Sequence, residues 1–213
     1  MRPGPQSELH GLLARVESRL AEAPGDRFIL GITGAPGAGK STVAEMVRAR
    51  LGAHRCAVVP MDGFHLANAI IDGTPLRDRK GAIDTFDVHG YLSLLGRLRR
   101  RDEPIVYAAE YRRGLEESIA GSIAIPRAIP VVITEGLYLL ADRPYWSRIA
   151  DVLDETWFID VSETDRLTRL VARHVGFGMS PDRAREWAVG PDAANAALVL
   201  ATKHRADHIV EWG

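Results

Sequence analysis

Gly34-Ala35-Pro36-Gly37-Ala38-Gly39-Lys40-Ser41 is the stretch that decides the fold. It is a complete G-x-x-x-x-G-K-S, and it is flanked by an apolar run at 28–33 that reads as a buried strand and by residues 41–51, which read as a helix. That setting gives the motif its meaning. Nucleotide phosphates need several backbone N–H donors pointing inward, and Gly34, Gly37 and Gly39 let the chain curl and approach closely. Ala35, Pro36 and Ala38 complete the loop, and the next helix turns its positive end towards an anion. In this reading Lys40 neutralises the β and γ phosphates, the Ser41 hydroxyl coordinates Mg²⁺, and Thr42 contacts the α-phosphate.

Outward from the loop, further apolar runs at 56–61, 131–134, 156–161 and 208–211 read as strands. Helical stretches separate them, so the expectation is an α/β chain with a five-stranded parallel sheet between helical layers, the three-layer P-loop NTPase arrangement. Leu9, Leu12, Leu13, Val16 and Leu20 recur at helical spacing and predict an amphipathic helix over 6–23, after a frayed tail at 1–5 and before a stop at Pro24-Gly25-Asp26. Helices are also expected at 89–101, 164–174, 182–188 and 191–204, and a loop-rich stretch at 107–126. The 213 residues read as one domain, 1–213, with an irregular insertion at about 63–128 suited to a substrate lobe and a helical lid at about 163–190.

Composition narrows the classes. Lysine and arginine (27) nearly cancel aspartate and glutamate (28), leaving −1, so no bulk field draws the chain to nucleic acid or membrane. One cysteine, Cys56, allows neither an internal disulfide framework nor a cysteine-rich zinc module. No apolar run is long enough to span a bilayer and no signal peptide is readable, so a cytoplasmic protein is expected. Oligomeric state is open, a homodimer included.

Carboxylates at strand ends supply the chemistry. The run 131–133 leads to Thr134-Glu135-Gly136, and an acid there can hold Mg²⁺ beside the loop or simply cap a turn. Asp62, in Pro60-Met61-Asp62-Gly63-Phe64-His65, ends the strand at 56–61 and would face the ligand crevice. In phosphoryl transfer to an alcohol such a carboxylate can accept the hydroxyl proton; the plainer reading is a turn aspartate. His65 next to it is a candidate contact to acceptor or phosphate. Arg77-Asp78-Arg79-Lys80 gathers three cations in four residues, either a solvated loop or one cation meeting an anionic group of the acceptor. Arg166, Arg169 and Arg173 share a helical face and can close over phosphates, or lace an exposed helix. Thr202-Lys203-His204-Arg205 begins like a guanine-reading T-K-x-D but has Arg205 where aspartate is required, so ATP is the default donor.

The P-loop, the D-G-F-H at 62–65, the T-F-D at 85–87 and the T-E-G at 134–136 come in an order that resembles the P-loop kinases of the phosphoribulokinase/uridine kinase/pantothenate kinase superfamily. The wording M-D-G-F-H-L is similar to a bacterial branch described as nucleoside/nucleotide kinase-like or fructose-transport-system kinase-like. The resemblance covers most of 28–212. It implies magnesium–ATP chemistry, the base role at Asp62, an acceptor contact at Asp87, and a lid whose phosphate-facing cations are Arg169 and Arg173. The family's P-x-Y/F-D segment falls on residues 107–113, where Ala109 stands in place of proline and Arg112 in place of aspartate. Tyr111 and Arg113 are then wall residues of the acceptor pocket or packing residues. A small-molecule hydroxyl acceptor is implied, nucleoside-like first, with sugar or pantothenate close behind. A nucleotide-binding switch without such an acceptor is the alternative from another class.

Overall fold

The computed structural model describes residues 5–22 and 25–213. In chain order its elements are α1 (Pro5–Glu22), β1 (Phe28–Thr33), α2 (Lys40–Leu51), β2 (Cys56–Pro60), the one-turn α3 (Asn68–Ile71), α4 (Val88–Arg100), β3 (Ile105–Arg112), β4 (Glu117–Pro126), β5 (Val131–Glu135), β6 (Glu155–Asp160), α5 (Glu163–Gly176), α6 (Pro181–Val189), α7 (Pro191–Leu200) and β7 (His208–Glu211). The five apolar runs pair in parallel in the order β2-β5-β1-β6-β7.

These runs are continuously apolar because both faces of the sheet are covered. Along β1, Ile29 enters one core with Val132 of β5, Phe158 of β6 and Leu95 of α4. Its neighbours Phe28, Leu30 and Ile32 enter the opposite core, with Val16 of α1 and Val43 and Val47 of α2. The period-two alternation of a strand therefore feeds two helical layers at once.

The ends of elements shift in ways local chemistry explains. The strand expected at 56–61 stops at Pro60, and Met61–Phe64 turns as a 3₁₀ helix. The helix expected to 204 ends at Leu200, and Lys203–Arg205 forms its own short turn. Of the frayed tail expected at 1–5, residues 1–4 lie outside the described residues, while Pro5 opens α1. The expected stop at Pro24 is likewise outside them.

The largest correction concerns 107–126, which is not loop-rich but an antiparallel ribbon of β3 and β4. Only one of its faces packs: Val106, Ala108 and Ile125 are buried while Tyr107 points to solvent. The alternation is too short, and too interrupted by charge between Glu110 and Glu117, to announce itself in sequence. Among the described residues no helix is long and apolar enough to cross a membrane.

One buried cation ties the base of this architecture together. Arg27, 2% exposed, donates to the carbonyls of Ile129 (3.0 Å), Leu98 (2.9 Å), Pro126 (2.9 Å) and Arg127 (3.2 Å). Arg27→Leu leaves these oxygens without their donor, and a loss of ~2–4 kcal/mol is expected in urea unfolding. A change below about 0.5 kcal/mol would contradict that role. Cys56 is also buried, and burial pushes its thiol up to about 12. At pH 8 a disulfide reagent should therefore label only the unfolded chain. Fast labelling of the native protein would show that the start of β2 is open.

Candidate active site

The parallel register sets the carboxyl ends of three strands abreast. Ile32 of β1 and Pro60 of β2 both stand opposite Glu135 of β5. The P-loop leaving β1, the Asp62 turn leaving β2 and Glu135 at the end of β5 therefore meet in one place. A cavity of about 480 Å³ opens there, and Lys40, Ser41, Asp62, His65, Tyr111, Arg113, Glu135 and Arg173 all line it.

The loop needs its glycines. Gly37 has φ 84°, and a Cβ on it would lie 2.6 Å from the carbonyl oxygen of Arg166. Lys40 begins α2 and its Nζ rests on the carbonyl of Ala35 at 3.3 Å. Burial lowers its pKa to about 8, with Glu135 pulling the other way and Arg173 adding to the depression. An anion at the loop would restore its full charge.

Ser41 Oγ donates to Glu135 Oε1 at 3.0 Å. Burial raises the pKa of Glu135, and the nearby charge of Asp62 raises it further. This pair passes a fit test for Mg²⁺: two hard oxygen ligands converge, and the carboxylate is one whose charged form a cation would stabilise.

The opposite wall is built on a close approach. Gly63 lies on the ribbon, and a Cβ there would come 2.2 Å from the carbonyl oxygen of Ala109, where the β3–β4 register shifts. Only glycine fits, and the contact sets Asp62 across from Arg113, 3.5 Å from its Oδ2. The 85–87 segment pairs back onto this turn: Leu66 N–H donates to Thr85 O (2.9 Å) and Asp87 N–H to Phe64 O (2.8 Å). His65 consequently makes tilted ring contacts with both Phe86 (4.0 Å between centroids, 42°) and Tyr111 (4.6 Å, 44°).

The His65 ring has a defined polarity. Its Nδ1 lies 2.8 Å from the carbonyl oxygen of Asp62, which can only accept, so Nδ1 carries the hydrogen. Burial lowers the pKa of the imidazole, favouring the neutral ring with Nε2 as an acceptor.

Asp87, Arg166, Arg169 and Thr42, all expected at the site, do not line the cavity. Asp87 is exposed, caps α4 by accepting the Gly90 N–H at 2.8 Å, and does not line the cavity. The arginines of α5 divide. Arg166 is buried, held by Glu163 at 2.6 Å and donating to Pro36 O at 3.2 Å, so it braces the P-loop from behind. Arg169 reaches the Trp212 carbonyl at 3.5 Å, close to Gly39. Arg173 lines the cavity, its guanidinium has no hydrogen bond or ion pair with any described residue, and its pKa is lowered by burial and then by Arg113. Thr42 is exposed on α2 and is not part of the cavity wall.

Other wall residues gave no sequence signal. Phe86 enters through the pairing of 85–87. Asp192 and Asn195 of α7 arrive from far along the chain, Asp192 Oδ2 accepting from His174 Nε2 at 2.7 Å and Asn195 donating to Gly81 O at 3.4 Å. Only a tertiary fold places them here.

Comparison with known proteins agrees with this geometry. The family described as methylmalonyl Co-A mutase-associated GTPase MeaB matches residues 3–77. The ATP-dependent kinase-like protein notR' of Aspergillus versicolor is 38% identical over 131 residues, covering 58% of this chain and 76% of the relative. A provisionally named uridine kinase of Schizosaccharomyces pombe is 28% identical, covering 72% and 68%. Among solved structures, a provisionally named fructose transport system kinase from Silicibacter sp. TM1040 superposes with a TM-score of 0.86 at 35% identity, covering 94% of this chain and 98% of its own.

Lys40→Ala should weaken ATP binding ~10–100-fold, the worth of a charge-assisted phosphate contact, in titration with a fluorescent ATP analogue. Unchanged affinity would contradict the phosphate assignment.

Proposed function

The chain belongs to the P-loop kinases of the uridine kinase, pantothenate kinase and phosphoribulokinase type, and on that premise we propose that it transfers the γ-phosphoryl group of ATP to a hydroxyl of a small metabolite. One observation carries the reading: Lys40 of the P-loop and the base candidate Asp62 line the same cavity. A nucleotide sensor has no use for the second wall.

Each residue has a role in that transfer. The P-loop and Lys40 hold the donor phosphates, and Arg173, whose guanidinium has no ion pair among the described residues, supplies charge to the group in flight. Ser41 and Glu135 would hold Mg²⁺, which when bound would supply charge neutralisation to the donor phosphates. Asp62 accepts the acceptor's proton, and the pair with Arg113 at 3.5 Å keeps its carboxylate aimed into the cavity. His65 Nε2 accepts from a second hydroxyl. The helices α5 and α6 act as the lid, with Gly178 at φ 93° between them.

The nucleoside-like acceptor expected from sequence loses ground on the geometry of the rings. His65 already packs against both Phe86 and Tyr111, which leaves these rings less free to stack on a base. The polar cavity suits a hydroxylated acyclic or sugar-like molecule better.

A second reading, a nucleotide switch with no small acceptor, draws on the GTPase family match. That match ends at residue 77, before the ribbon, β5 and the lid helices. It therefore speaks for the P-loop half of the site alone.

Asp62→Asn separates the readings. Acceptor-dependent ADP release should fall ~10²–10⁴-fold while nucleotide affinity is kept. Release as fast as the parent's would remove Asp62 from the chemistry. Hydrolysis that no metabolite stimulates, and that the substitution leaves alone, would favour the switch.

A further inference from the structure

The three cations of 77–80 part company in the structure. Arg79 is paired with Asp84, both exposed. Arg77 is paired with Asp72 at 3.3 Å and also donates to Asn68 Oδ1 at 2.7 Å. Both have a carboxylate of their own.

Lys80 does not. Its Nζ donates to Asn68 Oδ1 at 2.7 Å and to the carbonyl of Glu116 at 2.7 Å, both neutral acceptors. The same nitrogen stands 5.3 Å over the Tyr111 ring. Among the described residues no carboxylate oxygen lies within ion-pair distance of it. The nearest candidate is otherwise engaged: Glu116 accepts from the Tyr111 hydroxyl at 2.8 Å and from Gly114 N–H at 3.0 Å. Burial lowers the pKa of Lys80, and Glu117 only partly opposes that.

An ammonium has three hydrogens, and two are spent on neutral oxygens. The third is left for the cavity that Lys80 lines. Lys80 is only half-buried and feels Glu117, Glu116 and Asp72 at a distance, so a ligand anion meeting that hydrogen would add the direct charge contact it lacks among the described residues.

The position relative to the chemistry is equally informative. Asp62 and Lys80 are linked through two rings in series: His65 holds the Asp62 carbonyl and makes a tilted contact with Tyr111, and Tyr111 carries Lys80 over its ring. A molecule with its reacting hydroxyl at Asp62 thus extends past both rings before it meets the ammonium.

We propose that the acceptor carries an anionic group, a carboxylate or a phosphate monoester, several bonds from its reacting hydroxyl, and that Lys80 receives it. The inference rests on the phosphoryl-transfer reading for the hydroxyl end, while the anion end stands on Lys80 alone. A neutral nucleoside leaves that ammonium unmatched.

The test titrates the full chain, loaded with Mg²⁺ and a non-hydrolysable ATP analogue, by calorimetry. Pantothenate is the carboxylate probe, ribose 5-phosphate the phosphate probe, and uridine and fructose are the neutral probes. At least one anionic probe should bind, Lys80→Met should weaken it ~10–100-fold, and Lys80→Arg should restore most of the loss. The arm that binds identifies the anion. Binding by neutral probes alone, or no Lys80-dependent binding of either anion, overturns the proposal, provided far-ultraviolet circular dichroism shows both variants folded. ADP release with ATP tells the two readings apart. Lys80-dependent anion binding with no acceptor-dependent release removes the kinase reading and leaves the anion site. Release supported only by neutral acceptors keeps the kinase reading and removes the anion site.

Discussion

The register of β5 between β1 and β2 is the constraint on which the site depends. Ile32 and Pro60 each stand opposite Glu135, and Gly136 N–H donates back to Ile32 O at 3.1 Å, which pins the strand ends. Strand side chains alternate faces, so a slip of one residue would turn Glu135 away from Ser41 and carry Asp62 out of line with the P-loop. Two apolar cores, one on each face of the sheet, prevent that slip. The hydrophobic packing thereby holds the charged groups in place, though it touches none of the chemistry.

Those charged groups are kept in mutual tension. Burial pulls Lys40 down and Glu135 up, so for each it favours the neutral form. Arg173 is depressed by burial and by Arg113, with Asp192, Asp62 and Glu135 opposing from a distance and no ion pair among the described residues. Such an arrangement is costly in the free protein and gains when phosphate and a divalent cation arrive together. A formal charge of −1 describes only the whole surface. Locally the cavity gathers Lys40, Arg113 and Arg173, of which only Arg113 has an ion pair among the described residues, with Asp62.

Much of this was legible in the sequence, and the reason is locality. Eight consecutive residues make the P-loop, and each strand is a single apolar run, so neighbours along the chain suffice to recognise them. Glu135 and Asp62 could be placed because each comes directly at a strand end. The ribbon was hidden because only Val106, Ala108 and Ile125 mark its buried face. The division of labour in α5 was hidden too: helical spacing puts Arg166 and Arg173 on one face, yet Glu163 and Pro36 O capture the first and leave the second open. Asp87 carries a family-like motif, but its oxygen is committed to a helix cap. Lys80 was one of three equivalent cations until Asp84 and Asp72 claimed the others.

Whether the γ-phosphoryl group goes to a metabolite or to water decides between an enzyme with two substrates and a hydrolase. ATP labelled at the γ-phosphorus, incubated with the protein, Mg²⁺ and a protein-free extract of small metabolites, tests this directly. The expected result is label in one organic phosphate, formed mole for mole with ADP. Label recovered only as inorganic phosphate, with ADP formed at the same rate when the extract is left out, would contradict transfer to a metabolite.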